Sequence, residues 1–466
     1  MLYQSLRAAA HVALRWYYAD VVVQGQERVP PRGPVLIVAN HPNALVDALL
    51  VSTALPRRVL LTAKATLFEH PVLAPFLRAI GVVPLRRAAD ERAAAKRAAG
   101  GAASVARNTD AFQQVRAALA SGGVVLVFPE GVSHDQPTLV PLRTGAARMA
   151  LDASTRGVVG VQVLPLGLIF ERKEQPRSRV LVRVGTALDI DAWRARHASA
   201  GAAELTAELD AALHAVTLNF ASDARAERAV TLARALAAIV DEPPALDRPR
   251  DLATEAELAE RVERATEAVA RASPALAAQA DEFTGRVTSL EAKLAERGAT
   301  LADVRISAKL RHGARFVVRE VALAALVAPI AMLGHVVHWL PLRLARTLAM
   351  RPLATDPSRD QPAMRTIVLG LATVLVWYAL QFAVAAHWFG ALVALAWLVV
   401  IFLAARIDFL FGDRRERARQ RARTYLALRR DPSLQPSVRA EIDALLGQAL
   451  TLEGALLRGA GTAPAR

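Results

Sequence analysis

The sequence predicts an α/β fold: a mostly parallel sheet flanked by helices, followed by a helical hairpin and C-terminal membrane helices. Three observations support this prediction. Apolar runs typical of buried strands alternate with helical patterns over the first half of the chain. Charged residues then alternate with apolar residues at helical spacing, and the last third contains long apolar runs.

The first strand-like run, residues 34–39, is apolar throughout and is typical of a strand that is buried on both faces. Similar runs occupy 59–63, 80–85, 123–128, 161–168 and 180–184. Helical patterns at 88–120 and 144–156 separate them, so we assign one α/β domain to residues 25–222.

Residues 1–24 are assigned to an amphipathic N-terminal helix, which could lie on a membrane interface or pack on its own domain. Charged residues and a histidine interrupt its apolar stretch, so we expect no signal peptide. Residues 223–310 predict a helical hairpin, because two stretches with apolar residues at helical spacing are separated by Pro274. We interpret this hairpin as a structural appendage.

Membrane segments are predicted within residues 311–410. The runs 366–384 and 388–405 have almost no loop between them and are basic at both outer ends, which is typical of a transmembrane hairpin with cytoplasmic ends. The run 321–340 is also basic on both sides, and a single span cannot place both ends inside. Three possibilities therefore stay open for 321–340: a re-entrant segment, an interfacial segment, or pairing with another segment. Residues 411–466 predict a basic helical tail.

The composition narrows the possible partners. The formal net charge is +15, which fits nucleic acid or an anionic membrane, but Arg clusters flank the apolar runs and no nucleic-acid-binding motif is present. We therefore expect membrane lipid and no nucleic acid as a partner. The chain contains no cysteine, which excludes disulfides, thiolate nucleophiles and Cys-ligated metals.

The strongest candidate for chemistry is the segment that runs from His41 to Asp47, which begins where the first buried strand ends. Ligands in α/β folds collect at the carboxyl ends of strands. A neutral histidine can remove a proton from an attacking hydroxyl, and a carboxylate can fix its tautomer. By themselves, these two residues could equally be a turn residue and a surface carboxylate.

Three later segments also follow strand-like runs. Arg86 and Arg87 end the Gly-Val-Val-Pro-Leu-Arg-Arg segment, and guanidinium groups suit phosphate recognition. Glu130 and Gly131 end a Phe-Pro-Glu-Gly segment, in which glycine permits a tight turn. An apolar strand with an interior proline, Pro165, suggests an edge strand or a bulge that lines a groove.

In this order, the four segments resemble those of the glycerophospholipid acyltransferase family, the PlsC-like group. The resemblance covers about residues 25–220 and implies that His41 is the general base and Asp47 its partner. It further implies that Arg87 binds phosphate with help from Arg86, that Glu130 and Gly131 contact the glycerol phosphate, and that Lys64 and Arg143 match basic positions of the family.

The spacing departs from the usual family pattern, in which four residues separate His and Asp. Five residues separate His41 from Asp47 here, so the turn must absorb one more residue if the two side chains are to meet. The longer spacing and the long C-terminal extension resemble the branch of fungal glycerol-3-phosphate and dihydroxyacetone-phosphate acyltransferases.

The resemblance implies an enzyme that transfers a fatty acyl group from acyl-CoA or acyl carrier protein to glycerol-3-phosphate or dihydroxyacetone phosphate. A lysophosphatidate or other lysophospholipid acceptor is the alternative within the family. A non-catalytic, lipid-binding membrane scaffold is the alternative from another class. We expect neither a metal nor a bound cofactor, and we expect a catalytic domain on the cytoplasmic face of a membrane.

Overall fold

A computed structural model describes residues 2–71, 73–85, 102–240, 246, 251–351 and 362–461. Its main sheet has the strand order β1-β8-β7-β2-β6-β3, with β9 added to β7, and a separate pair is formed by β4 and β5. The strands are β1 Asp20–Gln24, β2 Val35–Ala39, β3 Val59–Leu60, β4 Thr62–Lys64, β5 Val83–Leu85, β6 Val124–Val127, β7 Gln162–Phe170, β8 Arg179–Val184 and β9 Leu188–Asp189.

Every strand pairing is parallel except those of β7 with β8 and with β9. The predicted mostly parallel sheet is therefore confirmed. The sequence analysis missed β1 and β9. It assigned β1 to the N-terminal helix, but that helix ends at Tyr17 and residues 20–24 pair in parallel with β8.

Helices cover both faces of this sheet. They are α1 Leu2–Tyr17, α2 Ala44–Ala54, α3 Leu73–Ala79, α4 Ala102–Ala120, α5 Gly145–Thr155, α6 Ile190–Arg196 and α7 Ala202–His214. Alternate residues of β2 point to opposite layers. Val35 and Ile37 pack in a core with α1 and α2, whereas Leu36 and Val38 pack in a second core with α4, α5 and α7. The helix α1 thus packs on its own domain.

A second group of helices follows: α8 Asp223–Val240, α9 Leu252–Ala272 and α10 Pro274–Glu296. The last two correspond to the expected hairpin, and they meet at Ser273, whose hydroxyl caps α10 by accepting a hydrogen bond from the Leu276 amide at 3.1 Å. The helix α8 also lies in the region assigned to the hairpin, so that region contains three described helices.

The C-terminal part contains α11 Leu310–Met350, α12 Pro362–Phe389, α13 Ala391–Arg430 and α14 Leu434–Gly461. Of the described helices, α11, α12 and α13 are long and apolar enough to cross a membrane. The run 321–340 is part of one continuous helix, α11. The predicted tail from 411 comprises the basic half of α13 and the separate helix α14, whose Val438 and Ile442 share a core with α8 and α10.

The chain divides into two compact units. One contains residues up to Asn219 together with Ala345–Ala372, and the other contains Phe220–Leu344 together with Thr373–Arg466. Ala363 and Ile367 of α12 belong to the same core as β2 and α2. The first unit therefore includes a segment far along the chain from the predicted α/β domain, whose boundaries stay a prediction.

Candidate active site

The carboxyl ends of three neighbouring strands define the site. Strand β2 pairs in parallel with both β6 and β7, so the residues that follow these strands lie at one edge of the sheet. Asn40, directly after β2, donates from Nδ2 to the Leu168 carbonyl at 3.0 Å and accepts from the Leu168 amide at 2.7 Å. These bonds hold the loop that begins at His41 against β7.

His41 and Asp47 are in contact. The Nδ1 atom of His41 lies 2.9 Å from Oδ2 of Asp47, and the Asp47 side chain is fully buried. The same carboxylate oxygen accepts the backbone N–H of Asn43 at 2.7 Å, which positions the carboxylate within the turn. The five intervening residues therefore do not separate the pair.

The turn between the two residues has an unusual backbone. Ala44 adopts φ 47°, in the left-handed region that side chains with a Cβ rarely occupy, and Val46 N–H closes the turn on the Asn43 carbonyl at 3.0 Å. Asp47 consequently lies in the first turn of α2. We infer that this left-handed residue accommodates the longer spacing.

The groups around the His41 imidazole determine which of its two nitrogens carries the proton. A carboxylate at Nδ1 stabilises the tautomer with the proton on Nδ1, so Nε2 is the nitrogen that can accept a proton. The ring stacks on Phe128, with centroids 3.9 Å apart and planes 8° apart. The side chain keeps 13% exposure, which leaves an edge accessible.

Burial raises the pKa of Asp47 above its usual value, and three groups oppose this effect: His41, the Asn43 N–H and the positive charge of Lys173. The second oxygen, Oδ1, has no hydrogen-bond partner among the described residues. The carboxylate is thus held in a position that burial disfavours for a charged group. Such a conflict is typical of functional sites.

Glu130 is buried, and its carboxylate forms hydrogen bonds with two backbone N–H groups and a histidine ring. Its Oε1 atom accepts the His41 backbone N–H at 2.8 Å. Its Oε2 atom contacts Nε2 of His134 and accepts the Val140 N–H at 3.3 Å. The main chain of His134 also donates to the His41 carbonyl at 3.2 Å, so Glu130 and His134 join the loops after β2 and β6.

Comparison with known proteins identifies the domain that contains this site. Residues 20–169 match the family described as Acyltransferase. These residues therefore form an acyltransferase-family domain.

Three curated relatives are similar to parts of the chain. An uncharacterized acyltransferase of Schizosaccharomyces pombe is 25% identical over 38% of this chain. Glycerol-3-phosphate O-acyltransferases 2 and 1 of Saccharomyces cerevisiae are 40% and 35% identical over 18% and 17% of this chain. The matches span 38%, 11% and 10% of these relatives' own lengths, respectively.

A similar solved structure is the crystal structure of the 1-acyl-sn-glycerophosphate acyltransferase PlsC from Thermotoga maritima. It is 20% identical, with a TM-score of 0.34, and the similarity covers 46% of this chain and 78% of that chain.

The structure brings some of the other predicted site residues of the acyltransferase domain together and leaves the rest untested. Gly131 has φ 76°, which a residue with a side chain rarely adopts, and its neighbour Arg143 is exposed and donates its backbone N–H to the Pro129 carbonyl at 2.8 Å. Lys64 ends β4 and is half-buried. Arg86 and Arg87 lie outside the described residues. The roles of all these residues in binding stay predictions.

Sequence reasoning missed Lys173 and Tyr18 of the acyltransferase domain. Lys173 Nζ donates to the Pro42 carbonyl at 2.7 Å and pairs with Asp135, and it lies three residues after the end of β7. The Asn43 side chain donates to the Tyr18 hydroxyl at 3.0 Å. The position of Lys173 after a central strand was a usable signal, whereas nothing near Tyr18 in the sequence indicates this contact.

No group of three or more His, Asp or Glu side chains is arranged to hold a metal ion in the part of the chain that the structure describes. The expectation that the acyltransferase domain needs neither a metal nor a bound cofactor stays a prediction.

Proposed function

We propose that this protein is a membrane-bound O-acyltransferase that moves a fatty acyl group from a thioester donor to glycerol-3-phosphate or dihydroxyacetone phosphate. The observation that carries the proposal is the His41–Asp47 contact at 2.9 Å within a domain of the acyltransferase family. The donor is acyl-CoA or acyl carrier protein, and the product is a precursor of phosphatidate.

The reaction follows from the His41 nitrogen that does not face Asp47. This Nε2 atom accepts the proton of the substrate hydroxyl while the hydroxyl oxygen attacks the thioester carbonyl. The C–S bond then breaks, and the leaving sulfur takes the proton from His41 as the free thiol. Asp47 stabilises the imidazolium that forms between these two steps, so the reaction requires no covalent enzyme intermediate.

Similarity favours a glycerol-3-phosphate acceptor. The two yeast relatives named as glycerol-3-phosphate O-acyltransferases match short parts of this chain at 40% and 35% identity. Arg86 and Arg87 are proposed to bind the acceptor phosphate, with Lys64, Arg143, Glu130 and Gly131 contributing to the same site. The three apolar helices are proposed to hold the domain at the cytoplasmic face of the membrane, where the product partitions.

The direct test is acyl transfer from labelled palmitoyl-CoA by the purified full chain in detergent. Glycerol-3-phosphate, dihydroxyacetone phosphate and lysophosphatidate are offered in parallel, and acyl carrier protein is offered as a second donor carrier. We expect transfer to one of the first two acceptors, and a loss of about 10²–10⁴-fold in His41→Ala.

A matched control is His214→Ala, which removes an exposed histidine on α7 of the same domain. This variant should keep full activity. Transfer only to lysophosphatidate would overturn the acceptor assignment but keep the chemistry. No transfer to any acceptor from either donor would favour a lipid-binding scaffold instead.

A further inference from the structure

Two loops of the acyltransferase domain lie against each other at the site. The His41 loop, residues 40–47, follows β2, and the Glu130 loop, residues 128–144, follows β6. Because β2 and β6 pair in parallel, both loops leave the same edge of the sheet. Their backbones are joined where the His134 N–H donates to the His41 carbonyl at 3.2 Å. The position of His41 therefore depends on the Glu130 loop.

The Glu130 side chain forms the second connection between the loops. Its Oε1 atom accepts the His41 N–H at 2.8 Å, and its Oε2 atom accepts the Val140 N–H at 3.3 Å. This side chain is fully buried, and a buried carboxylate needs donors for both of its oxygens. The ring of His134 supplies a further donor, because its Nε2 atom contacts Oε2. His134 thus helps to fix the carboxylate that holds the His41 backbone.

A backbone contact determines which nitrogen of His134 carries the proton. The Nδ1 atom of His134 accepts the Gln136 N–H at 3.1 Å, so the proton of the neutral ring lies on Nε2, which faces Glu130. Both ring nitrogens therefore have partners within the protein. In this arrangement His134 does not remove a proton from a substrate, and its contribution passes through Glu130.

Ser133, the neighbouring residue, holds the turn between His41 and Asp47. Its Oγ atom accepts the Ala44 N–H at 3.1 Å. Ala44 is the first residue of α2, where a backbone N–H has no acceptor within its own helix. It is also the left-handed residue, at φ 47°, that accommodates the longer spacing. Ser133 therefore caps α2 from another loop at the position where the turn is most strained.

Lys173 adds a third element to this arrangement. Its Nζ atom donates to the Pro42 carbonyl at 2.7 Å and to the His134 carbonyl at 3.4 Å. One ammonium group thus contacts the backbone of both loops, and it comes from the segment after β7. The loops that follow three neighbouring strands are therefore joined around the His41–Asp47 pair.

We propose that His134 and Ser133 are positioning residues for acyl transfer. His134 orients Glu130, which holds the backbone of His41, and Ser133 holds the turn that returns Asp47 to His41. Neither side chain touches the substrate in this role. The role rests on the proposed function, because it assumes that His41 is the general base, and the experiments below separate the two.

The first experiment compares His134→Leu with His134→Gln in the purified full chain, with kcat and KM measured for donor and acceptor. We expect His134→Leu to lower kcat by about 10–100-fold at unchanged KM, because His41 is displaced from the reacting atoms. Glutamine keeps an N–H donor at a similar reach and should restore most of the activity. His214→Leu should change nothing, although His214 also lies four residues after its carboxylate partner, Asp210.

Three outcomes of this comparison would overturn the role of His134. One is a wild-type kcat in His134→Leu. Another is a rise in the acceptor KM in place of a fall in kcat, which would indicate substrate binding. The third is an equal loss in His134→Gln and His134→Leu, which would mean that the imidazole itself is required.

A double-mutant cycle tests whether His134 acts through Glu130. We expect His134→Leu to cause no further fall in kcat when it is added to Glu130→Ala, because the carboxylate that it orients is already absent. The same fold-loss in both backgrounds would show that His134 acts by another route and would contradict the proposal.

Ser133 is tested with a pair of variants that differ in the hydroxyl. Ser133→Ala should lower kcat by about two- to tenfold, the effect of one lost hydrogen bond, and Ser133→Thr should keep the activity. Ser121→Ala is the matched control, because Ser121 precedes β6 and its hydroxyl donates to the Ala118 carbonyl at 2.8 Å. A wild-type kcat in Ser133→Ala would overturn the role of Ser133.

Hydrogen exchange gives a measurement that does not depend on turnover. The peptide that covers residues 40–47 contains the amides of His41 and Ala44, which bind Glu130 and Ser133. It should exchange faster in His134→Leu and Ser133→Ala than in the wild type, and at the wild-type rate in His134→Gln and His214→Leu. Unchanged exchange in His134→Leu and Ser133→Ala would overturn the positioning roles, whereas a wild type that transfers no acyl group would overturn the proposed function.

Discussion

Asp47 remains beside His41 although burial disfavours its charge. Its Oδ2 atom binds His41 and the Asn43 N–H, but Oδ1 has no partner among the described residues. A carboxyl whose folded pKa is raised contributes stability at low pH, and this contribution is lost as pH rises through the folded pKa. Once Asp47 is ionised, its charge therefore reduces the stability of the folded state, a conflict that is typical of functional sites.

Replacing Asp47 by asparagine should separate the effect of its charge on stability from its effect on activity. We expect Asp47→Asn to lose about 10²–10⁴-fold in kcat and to unfold at a higher temperature than the wild type at pH 7.5. The gain in unfolding temperature should shrink as pH falls through the raised pKa of the folded Asp47, and it should be absent below the ordinary aspartate pKa of about 3.9, where the carboxyl is neutral in both states. Thermal unfolding across this pH range and acyl transfer at pH 7.5 measure both effects.

Asp152 on α5 provides a control, because its pKa is shifted in the direction opposite to that of Asp47. Burial favours a higher pKa for this carboxyl, but Arg156 and Arg116 together hold the pKa below its usual value. Asp152→Asn should therefore slightly lower the unfolding temperature at pH 7.5 and leave kcat unchanged. Equal shifts in unfolding temperature for both variants would contradict the electrostatic account of Asp47.

Lys173 contributes positive charge next to the His41–Asp47 pair. Its amino group is fixed on the Pro42 carbonyl, and its charge favours the ionised form of Asp47. Lys173→Met should lower kcat by up to about tenfold, because Asp47 then loses a charge that favours its ionised form, and should move the acidic limb of the pH–rate profile to higher pH. Lys293→Met, on the exposed surface of α10, should change neither quantity.

At the scale of a single element, the backbone at the start of α2 determines whether Asp47 can reach His41. Ala44 holds a left-handed backbone conformation at φ 47°, and this conformation brings Asp47 back toward His41. A residue with a branched Cβ is strongly disfavoured there, whereas glycine adopts the conformation without strain.

Ala44→Val should therefore lower the free energy of unfolding by about 1–3 kcal/mol and reduce kcat, because strain at this position displaces Asp47. Ala44→Gly should keep both close to the wild type. Ala54→Val, at the last residue of the same helix, is the matched control with helical backbone. Equal activity in Ala44→Val and Ala54→Val would show that the turn does not position Asp47.

At the scale of the whole molecule, a remote segment completes the domain that contains the site. Ala363 and Ile367 of α12 are buried in the core that also contains β2 and α2. This core supports the strand end and the helix start from which His41 and Asp47 extend. The stability of the site therefore depends on residues more than 300 positions further along the chain.

Ile367→Ala should lower the free energy of unfolding of the acyltransferase domain by about 2–5 kcal/mol, because it leaves a cavity in a packed core. Leu371→Ala, on the same helix but 40% exposed, should have a much smaller effect. Chemical unfolding followed by tryptophan fluorescence compares the two. Similar losses of stability would mean that α12 does not contribute to this core.

Sequence patterns were sufficient to predict several structural features of this protein. Continuous apolar runs predicted the central parallel strands, because strands covered on both faces by helices contain almost only apolar residues. Four short segments in order predicted the acyltransferase family, and that resemblance assigned the His41–Asp47 pair, which the structure brings together in spite of its longer spacing. Helix length and apolar composition predicted the three long C-terminal helices.

Other features depended on contacts between residues that are distant in sequence. The approach of Lys173 to the site, the insertion of α12 into the core and the antiparallel packing of α11 on α13 have no local signature. Local patterns record which face of an element is apolar, but not which distant element covers that face. The sequence by itself therefore determined the fold class and the candidate pair His41 and Asp47, and the tertiary structure decided how remote segments support that pair.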